Sequence, residues 1–179
     1  MSRRFVVLSG LPCSGKSTLA RRLAPALRLP AIDKDSILEE LFERRGVGDA
    51  AWRRLLSRDS DVLFVAEAKA SAGAILVSFW NVPGMPLDSG TPTAWLAELS
   101  SRIVEVHCRC APEIAAERFL RRKRHPGHLD SASYEEVLRS LRAIPRSGAL
   151  EIAARVEVDT SQEPRVDDIL GRLDLIVKK

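Results

Sequence analysis

One short segment near the amino terminus has the residue types and the spacing of a phosphate-binding loop. Residues 10–18 read GLPCSGKST, which fits the Walker A pattern G-x-x-x-x-G-K-[ST]. An apolar run at residues 5–8 precedes the loop, and leucines spaced four apart from Leu19 onward predict an amphipathic helix after it. The backbone N–H groups of such a loop converge at the positive end of a helix, so we expect it to bind a polyphosphate.

Different residues of this loop are predicted to contact different parts of a bound nucleotide and its metal ion. Lys16 is expected to reach the β- and γ-phosphates and to contribute to catalysis, and the Ser17 hydroxyl is expected to hold Mg²⁺. The other nucleotide-binding positions predicted in the loop are Gly10, Pro12, Cys13, Ser14, Gly15 and Thr18.

Two carboxylates follow the second apolar run of the chain. Asp33 and Asp35 come directly after residues 29–32, which predict a short strand. A carboxylate within hydrogen-bond reach of a hydroxyl can take its proton and make it a better nucleophile for phosphoryl transfer. Aspartate is also a favoured N-cap, so either residue could instead cap a helix that begins near Ser36.

A dense group of basic side chains lies at residues 118–124. Arginine donates bidentate hydrogen bonds to phosphate and can stabilise the charge that develops during phosphoryl transfer. Helical spacing predicts that Arg118, Arg121 and Arg122 share one side of a helix, where cations this close repel one another unless an anion joins them. We expect a lid in which Arg118 binds the nucleotide and Arg122 and Arg124 act in catalysis. The alternative is a solvated basic helix face.

The composition limits the class of protein. The chain has 179 residues, of which 45% are hydrophobic and 29% charged, which indicates a single domain over residues 1–179 with a lid at about 118–131. No apolar run approaches the roughly 20 residues that span a bilayer, no signal peptide fits before the first strand, and the three cysteines make no disulfide framework. We therefore expect a cytoplasmic protein without a membrane partner. Nucleic acid is disfavoured as a partner because only 5% of the residues are aromatic.

Apolar runs and amphipathic stretches alternate along the chain. The predicted strands are residues 5–8, 29–32, 74–79, 103–108 and 155–159, and the predicted helices after the loop helix are 36–45, 49–72 (continuous or broken near Ser60), 93–99, Pro112 into the basic group, 133–141 and 166–177. This alternation predicts an α/β fold, a three-layer αβα P-loop NTPase with a mostly parallel sheet of about five strands. The phosphate loop, Asp33 and Asp35 are expected to line one crevice at the carboxyl ends of these strands.

In these motifs the chain resembles the small P-loop kinases, an AAA-type group of ATP-binding proteins related to chloramphenicol phosphotransferase, zeta toxins and polynucleotide kinases. The resemblance rests on the loop at 10–18, on Asp33 and Asp35, and on the segment 117–128, which is also similar to the lid of gluconate and shikimate kinases. It implies that ATP with Mg²⁺ is the cofactor and that Asp35 is the catalytic base, with Asp33 in reserve. It also implies that a small molecule such as an antibiotic or a sugar supplies the acceptor hydroxyl.

At two places the chain departs from the family pattern, and the departures concern metal binding and the phosphate acceptor. Ser78 takes the place of an acidic Walker B residue after the third strand, and its hydroxyl can hold a Mg²⁺-bound water but carries no charge. Ile37 and Leu38 stand where polynucleotide kinases carry an arginine for the substrate phosphate, which disfavours a nucleic-acid end as the acceptor. Nucleoside or nucleotide-sugar kinases, a polynucleotide 5′-hydroxyl kinase and a regulatory ATPase stay open as alternatives, as does the oligomeric state. The ATPase is disfavoured because the chain has no N-K-x-D motif.

Overall fold

A five-stranded parallel sheet forms the centre of the computed structural model, which describes residues 3–99, 103–150, 152 and 154–177. The strands are β1 (Arg4–Ser9), β2 (Ala31–Asp33), β3 (Gly73–Val77), β4 (Ile103–Arg109) and β5 (Ala154–Asp159). They lie in the order β2-β3-β1-β4-β5, and every pair of neighbours is parallel. This arrangement confirms the predicted α/β fold.

Helices cover both faces of the sheet. They are α1 (Lys16–Leu27), α2 (Lys34–Arg45), α3 (Ala50–Ala70), α4 (Pro112–Arg121), α5 (Tyr134–Arg142) and α6 (Val166–Val177). Leu23 of α1 and Leu173 of α6 are fully buried in the core on one face, and Phe64 of α3 is fully buried in the core on the other. The predicted three-layer arrangement is therefore confirmed. Within the part of the chain that the structure describes, no helix is long and apolar enough to cross a membrane.

The functional segments leave the sheet at the carboxyl ends of the central strand β1 and its neighbours. Leu8 contributes to the core on the α1 side and Val7 to the core on the α3 side, as expected of a strand buried on both faces. Leu8 pairs in register with Val77 of β3, which pairs in turn with Asp33 of β2. The phosphate loop, Asp33 and the residues that follow β3 therefore start from the same edge of the sheet.

Some element boundaries differ from the prediction for local reasons. Helix α2 begins at Lys34, two residues earlier than predicted, because the Asp33 carboxylate accepts a hydrogen bond from the Asp35 N–H (3.0 Å) and caps it. Helix α3 is continuous through Ser60, whose hydroxyl donates to a carbonyl one turn earlier in the same helix (2.7 Å) without breaking it. Strand β3 ends two residues earlier than predicted.

Candidate active site

The predicted phosphate loop lies between β1 and α1 and has left-handed backbone angles at three positions. Gly10 and Gly15 have φ angles of 127° and 98°, and Cys13 has a φ angle of 61°. A Cβ atom on Gly10 would lie 2.5 Å from the carbonyl oxygen of Cys108, so no larger residue fits there. The Gly10 N–H donates to the Gly148 carbonyl (3.1 Å), which ties the start of the loop to the chain after α5.

Lys16 is buried at the base of this loop. Its ammonium donates hydrogen bonds to the carbonyl oxygens of Gly10 (2.9 Å) and Leu11 (2.7 Å). Burial lowers the pKa of Lys16, and the carboxylates of Asp35 and Asp33 act in the opposite direction. Both predicted carboxylates therefore act electrostatically on the loop lysine.

Asp33 links the predicted metal-binding residue of the loop to the start of α2. Its carboxylate accepts a hydrogen bond from the Asp35 N–H (3.0 Å), and the Ser17 side chain lies near enough to influence its pKa. Burial raises the pKa of Asp33, and the Ser17 side chain and the Asp35 N–H oppose the rise. Of the two aspartates, Asp33 is thus the helix cap, and it also contacts Ser17.

The oxygen atoms of Ser17 and Asp33 fit a Mg²⁺ ion. Mg²⁺ prefers oxygen ligands and is usually held by one or two protein groups together with nucleotide phosphates, rather than by a full protein cage. Among the described residues, no group of three or more His, Cys, Asp or Glu side chains could hold a metal ion alone. The hydroxyl and carboxylate beside the loop suit a metal that binds together with a nucleotide.

Asp35 and Arg124, two of the predicted catalytic residues, form an ion pair. The Asp35 side chain is 55% exposed, and it does not cap α2, since Asp33 has that role. Arg124 is largely buried, and its other terminal nitrogen donates to Asp130 (3.3 Å). The structure therefore brings the predicted base into contact with a predicted phosphate-binding arginine.

Arg122 lies beyond the end of α4. Its backbone is extended (φ −75°, ψ 142°), so the prediction that it shares a helical face with Arg118 is wrong. The chain leaves the helix here on its way to Pro126, which cannot continue one. The Arg122 guanidinium instead lies 4.8 Å from the centre of the Phe119 ring and 3.5 Å from the Asp130 carboxylate.

The three predicted catalytic cations converge on the phosphate loop. Burial raises the pKa of the Cys13 thiol, and the charges of Arg122, Lys16 and Arg124 oppose that rise. Because such charge effects weaken with distance, these side chains lie close to the loop. The same three charges would attract a polyphosphate to the loop.

Arg118 lies apart from these cations, against the chain after β5. Its guanidinium donates to the carbonyl oxygens of Thr160 and Ser161, both at 2.8 Å. Its Nη1 atom also lies 3.8 Å from the position that a Cβ atom on Gly15 would occupy. This place beside the loop suits the predicted contact with a nucleotide.

Carboxylates of the protein pair with Arg121, Arg122 and Arg124 of the basic group, which offsets the repulsion expected among these cations. Asp130 accepts hydrogen bonds from both Arg122 (3.5 Å) and Arg124 (3.3 Å). Arg121 is exposed and pairs with Glu117 one turn earlier in α4 (3.5 Å), as a solvated helix face would. The sequence did not show this pairing because Asp130 and Asp35, the partners of Arg122 and Arg124, come from outside α4.

Residues 122–131, which we call the arginine loop, pack against α2. The His128 Nε2 atom lies 2.8 Å from the Glu39 carboxylate, and the His125 Nε2 atom lies 3.0 Å from another carboxylate of the same helix. The Phe42 ring stacks on the His125 ring and meets the His128 ring edge-on, at centroid distances of 5.2 and 5.5 Å. One face of α2 therefore holds the arginine loop beside Asp35.

A buried polar group below the phosphate loop was not predicted. Glu105 is fully buried in β4, where its carboxylate accepts hydrogen bonds from the Ser9 hydroxyl (2.5 Å) and the Leu150 N–H (2.7 Å). Ser9 also lies 2.9 Å from the His107 Nδ1 atom. The signal in the sequence is a glutamate within an apolar strand, since a charge is buried only when it is paired or hydrogen-bonded. These contacts support the end of β1 directly before Gly10.

Ser78 and Trp80, which follow β3, are both held by hydrogen bonds in the protein interior. Ser78 is 5% exposed, and its hydroxyl lies 2.6 Å from the Thr91 hydroxyl. Trp80 is 1% exposed, and its indole N–H donates to the Leu8 carbonyl (2.7 Å). Trp80 is thus a packing residue, whereas Ser78 occupies the Walker B position at the carboxyl end of β3.

Comparison with known protein families agrees with this site. Residues 5–144 match a family model described as an AAA domain. The chain belongs to this family. The matched region contains the phosphate loop, both aspartates and the arginine loop, and the match confirms the predicted membership of the small P-loop kinases.

Similar proteins carry kinase names. A cytidylate kinase of Pyrobaculum calidifontis is 25% identical over 158 residues, which cover 86% of this chain and 76% of that protein. A shikimate kinase of Corynebacterium glutamicum is 38% identical over 77 residues, which cover 40% of this chain and 43% of that protein. Together with the family match, these relatives confirm the prediction of a kinase.

Solved structures share the fold over nearly the whole chain. A candidate kinase of Chloroflexus aurantiacus J-10-fl has a TM-score of 0.79 at 24% identity, with 98% of this chain and 99% of that chain covered. A shikimate kinase of Bacteroides thetaiotaomicron has a TM-score of 0.55 at 18% identity, with the same coverage of the two chains. These similarities confirm the P-loop fold.

Proposed function

We propose that this chain transfers the γ-phosphate of ATP to a hydroxyl group of a small molecule. The observation that carries the proposal is the pairing of Asp35 with Arg124 beside the phosphate loop. A hydroxyl acceptor needs a base that takes its proton, and the transferred phosphoryl group needs cations that stabilise its charge. Here a carboxylate and a guanidinium that suit these two roles are in contact. The chain acts as one kinase domain in which the arginine loop is the lid.

The nucleotide is held by the phosphate loop and by groups next to it. Residues 10–18 bind the phosphates through their backbone N–H groups, and Arg118 contacts the nucleotide beside Gly15. Ser17 and Asp33 hold the metal. Mg²⁺ supplies charge neutralisation on the phosphates when it is bound.

The transfer itself depends on one carboxylate and three cations. Asp35 accepts the proton of the acceptor hydroxyl while the new O–P bond forms and the bond between the γ-phosphorus and ADP breaks. Lys16, Arg122 and Arg124 stabilise the negative charge on the transferring group. Arg124 can move its hydrogen bonds from Asp35 to the phosphate, which frees the carboxylate for the acceptor.

The Asp35 carboxylate favours a hydroxyl acceptor over a phosphate acceptor. A hydroxyl keeps its proton at neutral pH and is activated by a base, whereas a phosphate is already ionised and needs only cations. The acceptor classes that we propose are sugars, polyhydroxylated acids and hydroxyl-bearing antibiotics. Leu38 of α2 is 3% exposed, in the core between α2 and α3, and offers no polar contact to a nucleic-acid end.

A nucleotide kinase is the second candidate, because the cytidylate kinase relative matches 86% of this chain. Its acceptor would be a nucleoside monophosphate, and Asp35 would then have no proton to remove. Asp35→Asn would keep most of the activity in that case. The same variant loses activity if the acceptor is a hydroxyl.

The experiment that tests the proposal offers the protein a panel of acceptors with ATP and Mg²⁺. The panel contains sugars and polyhydroxylated acids, hydroxyl-bearing antibiotics, nucleosides, nucleoside monophosphates and a 5′-hydroxyl oligonucleotide. We expect a sugar, an acid or an antibiotic to accelerate ADP formation and to yield a phosphate ester in equal amount. A nucleoside diphosphate as the sole new product would establish the second candidate. ADP formation at one rate with every acceptor would indicate a regulatory ATPase.

A further inference from the structure

Two side-chain contacts, one helical turn apart, join the arginine loop to α2. Arg124 forms the ion pair with Asp35, and the His128 Nε2 atom lies 2.8 Å from Glu39 Oε1. Asp35 and Glu39 are four residues apart in α2, so their side chains lie on the same side of that helix. The His128 contact therefore lies beside the pair of residues on which the proposed function depends.

The His128 ring lies in a largely apolar place between the loop and the helix. Its side chain is 0% exposed, and the buried Phe42 ring of α2 meets it edge-on at a centroid distance of 5.5 Å. The charged groups that act on the ring are Glu39 and Asp35 of α2 and Arg124 of the loop itself. His128 is therefore a buried titratable side chain at the interface of the two elements.

The contacts of this ring fix the position of its hydrogen when it is neutral. A carboxylate only accepts hydrogen bonds, so Nε2 carries the hydrogen that is donated to Glu39, and Nδ1 has a lone pair and no hydrogen. The Nδ1 atom is buried and has no hydrogen-bond partner among the residues that the structure describes. A second proton on the ring would therefore create a buried N–H donor without an acceptor in this part of the protein, which destabilises the packed loop.

The electrostatic surroundings of His128 act in the same direction. Burial and the Arg124 charge lower the pKa of His128, and Glu39 and Asp35 oppose this shift without cancelling it. Water weakens the attraction to Glu39, because 39% of the Glu39 side chain is exposed. A loop released from α2 would expose the ring to solvent, where its ordinary pKa is 6.5. The released loop therefore binds the proton more readily, so the contact is complete above pH 6.5 and weakens below it.

We infer that His128 is a positioning residue, which holds Arg124 opposite Asp35 while its ring is neutral and releases the arginine loop from α2 when its ring is protonated. Acid pH would thus separate the proposed base from its partner arginine and move the loop away from the phosphate-binding residues. The inference rests on the proposed function in so far as that function gives Asp35 and Arg124 their roles. The release itself depends only on the contacts between the loop and α2.

Three variants separate this role from simple packing. His128→Gln keeps a side-chain N–H that can donate to Glu39, but an amide does not take up a proton in this pH range. His128→Ala removes the contact at every pH. His125→Gln is the matched control, since it makes the same change in a histidine of the same loop whose partner on α2, Glu43, is 73% exposed.

The test measures hydrogen exchange of the protein at pH 7.5 and pH 5.5, with each rate corrected for the intrinsic effect of pH. We expect the wild type to lose protection over residues 122–131 by about 3- to 10-fold at pH 5.5, the range set by one hydrogen bond. His128→Gln should keep its protection at both pH values, His128→Ala should lack it at both, and His125→Gln should behave as the wild type. Strand β1 exchanges through global unfolding, so its protection should stay above that of the loop throughout.

Equal loop protection of the wild type at the two pH values overturns the inference, and so does an acid loss of the same size in His128→Gln. A loss that affects β1 and the loop equally also overturns it, because acid would then unfold the whole protein. If His128→Gln does not fold, ¹⁵N nuclear magnetic resonance of the wild type decides. The His128 ring should carry its hydrogen on Nε2 at pH 7.5 and titrate below pH 6.5, and a hydrogen on Nδ1 or a titration above pH 6.5 overturns the inference.

The positioning role has a readout of its own once the panel has supplied an acceptor. Turnover should fall at pH 5.5 in the wild type and in His125→Gln by more than it does in His128→Gln. An equal fall in all three proteins would overturn this role. Nucleotide and acceptor are absent from the exchange measurements, so release of the loop can be established even if the acceptor panel contradicts the proposed function.

Discussion

Arg124 and Asp35 form an ion pair although 89 positions of the sequence separate them. The pair joins the arginine loop to the start of α2, and Asp130 binds the same guanidinium from the other side. The residue proposed to accept a proton and a residue proposed to stabilise phosphate are therefore in contact before any substrate binds. We therefore propose that this arginine couples closure of the lid to preparation of the base.

Changing each of the two aspartates to asparagine should affect a different property of the enzyme. Asp35→Asn should retain ATP binding but lower the rate of transfer by roughly 10²–10⁴-fold, since an amide cannot accept the hydroxyl proton. Asp33→Asn should raise the Mg²⁺ concentration needed for half-maximal activity, because Asp33 contacts Ser17. Steady-state kinetics at varied Mg²⁺ measures both effects. Normal turnover in Asp35→Asn with a large loss in Asp33→Asn would move the base to Asp33.

Arg124→Ala should reduce turnover by about 10²–10³-fold because a cation facing the transferring phosphate is lost. The free energy of unfolding should fall by about 1 kcal/mol, since Asp35 and Asp130 lose their partner. Arg121→Ala is the matched control, because that arginine is exposed and pairs with Glu117 of the same helix. Kinetics and urea unfolding of both variants test this assignment. Equal losses of turnover in Arg124→Ala and Arg121→Ala would contradict it.

Gly127→Ala should lift the arginine loop from α2. A Cβ atom on Gly127 would lie 2.5 Å from the Phe42 ring, which packs on the loop. We expect faster hydrogen exchange over residues 122–131 and a higher KM for ATP. Unchanged exchange in Gly127→Ala would show that the loop tolerates the added methyl group and that α2 does not hold it.

Stability should fall as the pH drops below neutrality, in part through His107. Burial lowers the pKa of His107 from its ordinary value of 6.5, while the neighbouring Glu105 carboxylate opposes this shift. Below pH 6.5 the unfolded chain therefore binds a proton that the folded protein resists, so stability is full above this pH and declines below it. His107→Gln should flatten the decline between pH 7 and 5 in urea unfolding experiments. An unchanged slope would mean that His107 does not contribute to the decline.

The sequence predicted those parts of the fold that depend on local patterns. A continuous apolar run predicted β3, and the Walker A spacing predicted a loop between a strand and a helix. The predicted start of α2 was two residues late, because Asp33 caps the helix directly before Lys34. The same Asp33 side chain also contacts Ser17. A sequence pattern shows the capping tendency of an aspartate but not its other partner.

The sequence predicted the candidate site less completely where distant residues meet. The basic group at 118–124 was recognised, but Asp130 and the extended backbone at Arg122 were not foreseen. Glu105 was also missed, because its charge is satisfied by groups from other elements. Such pairings depend on which surfaces the fold brings together, and no local spacing encodes them.

The most direct test of the account is to follow the γ-phosphate of ATP by ³¹P nuclear magnetic resonance in the presence of the best acceptor from the panel. The account predicts that the wild type forms a phosphate ester and ADP in equal amounts. Asp35→Asn and Lys16→Met should form the ester at least about 100-fold more slowly, because the base and a principal cation are lost. Inorganic phosphate as the only product, formed at the same rate in wild type and Asp35→Asn, would contradict it.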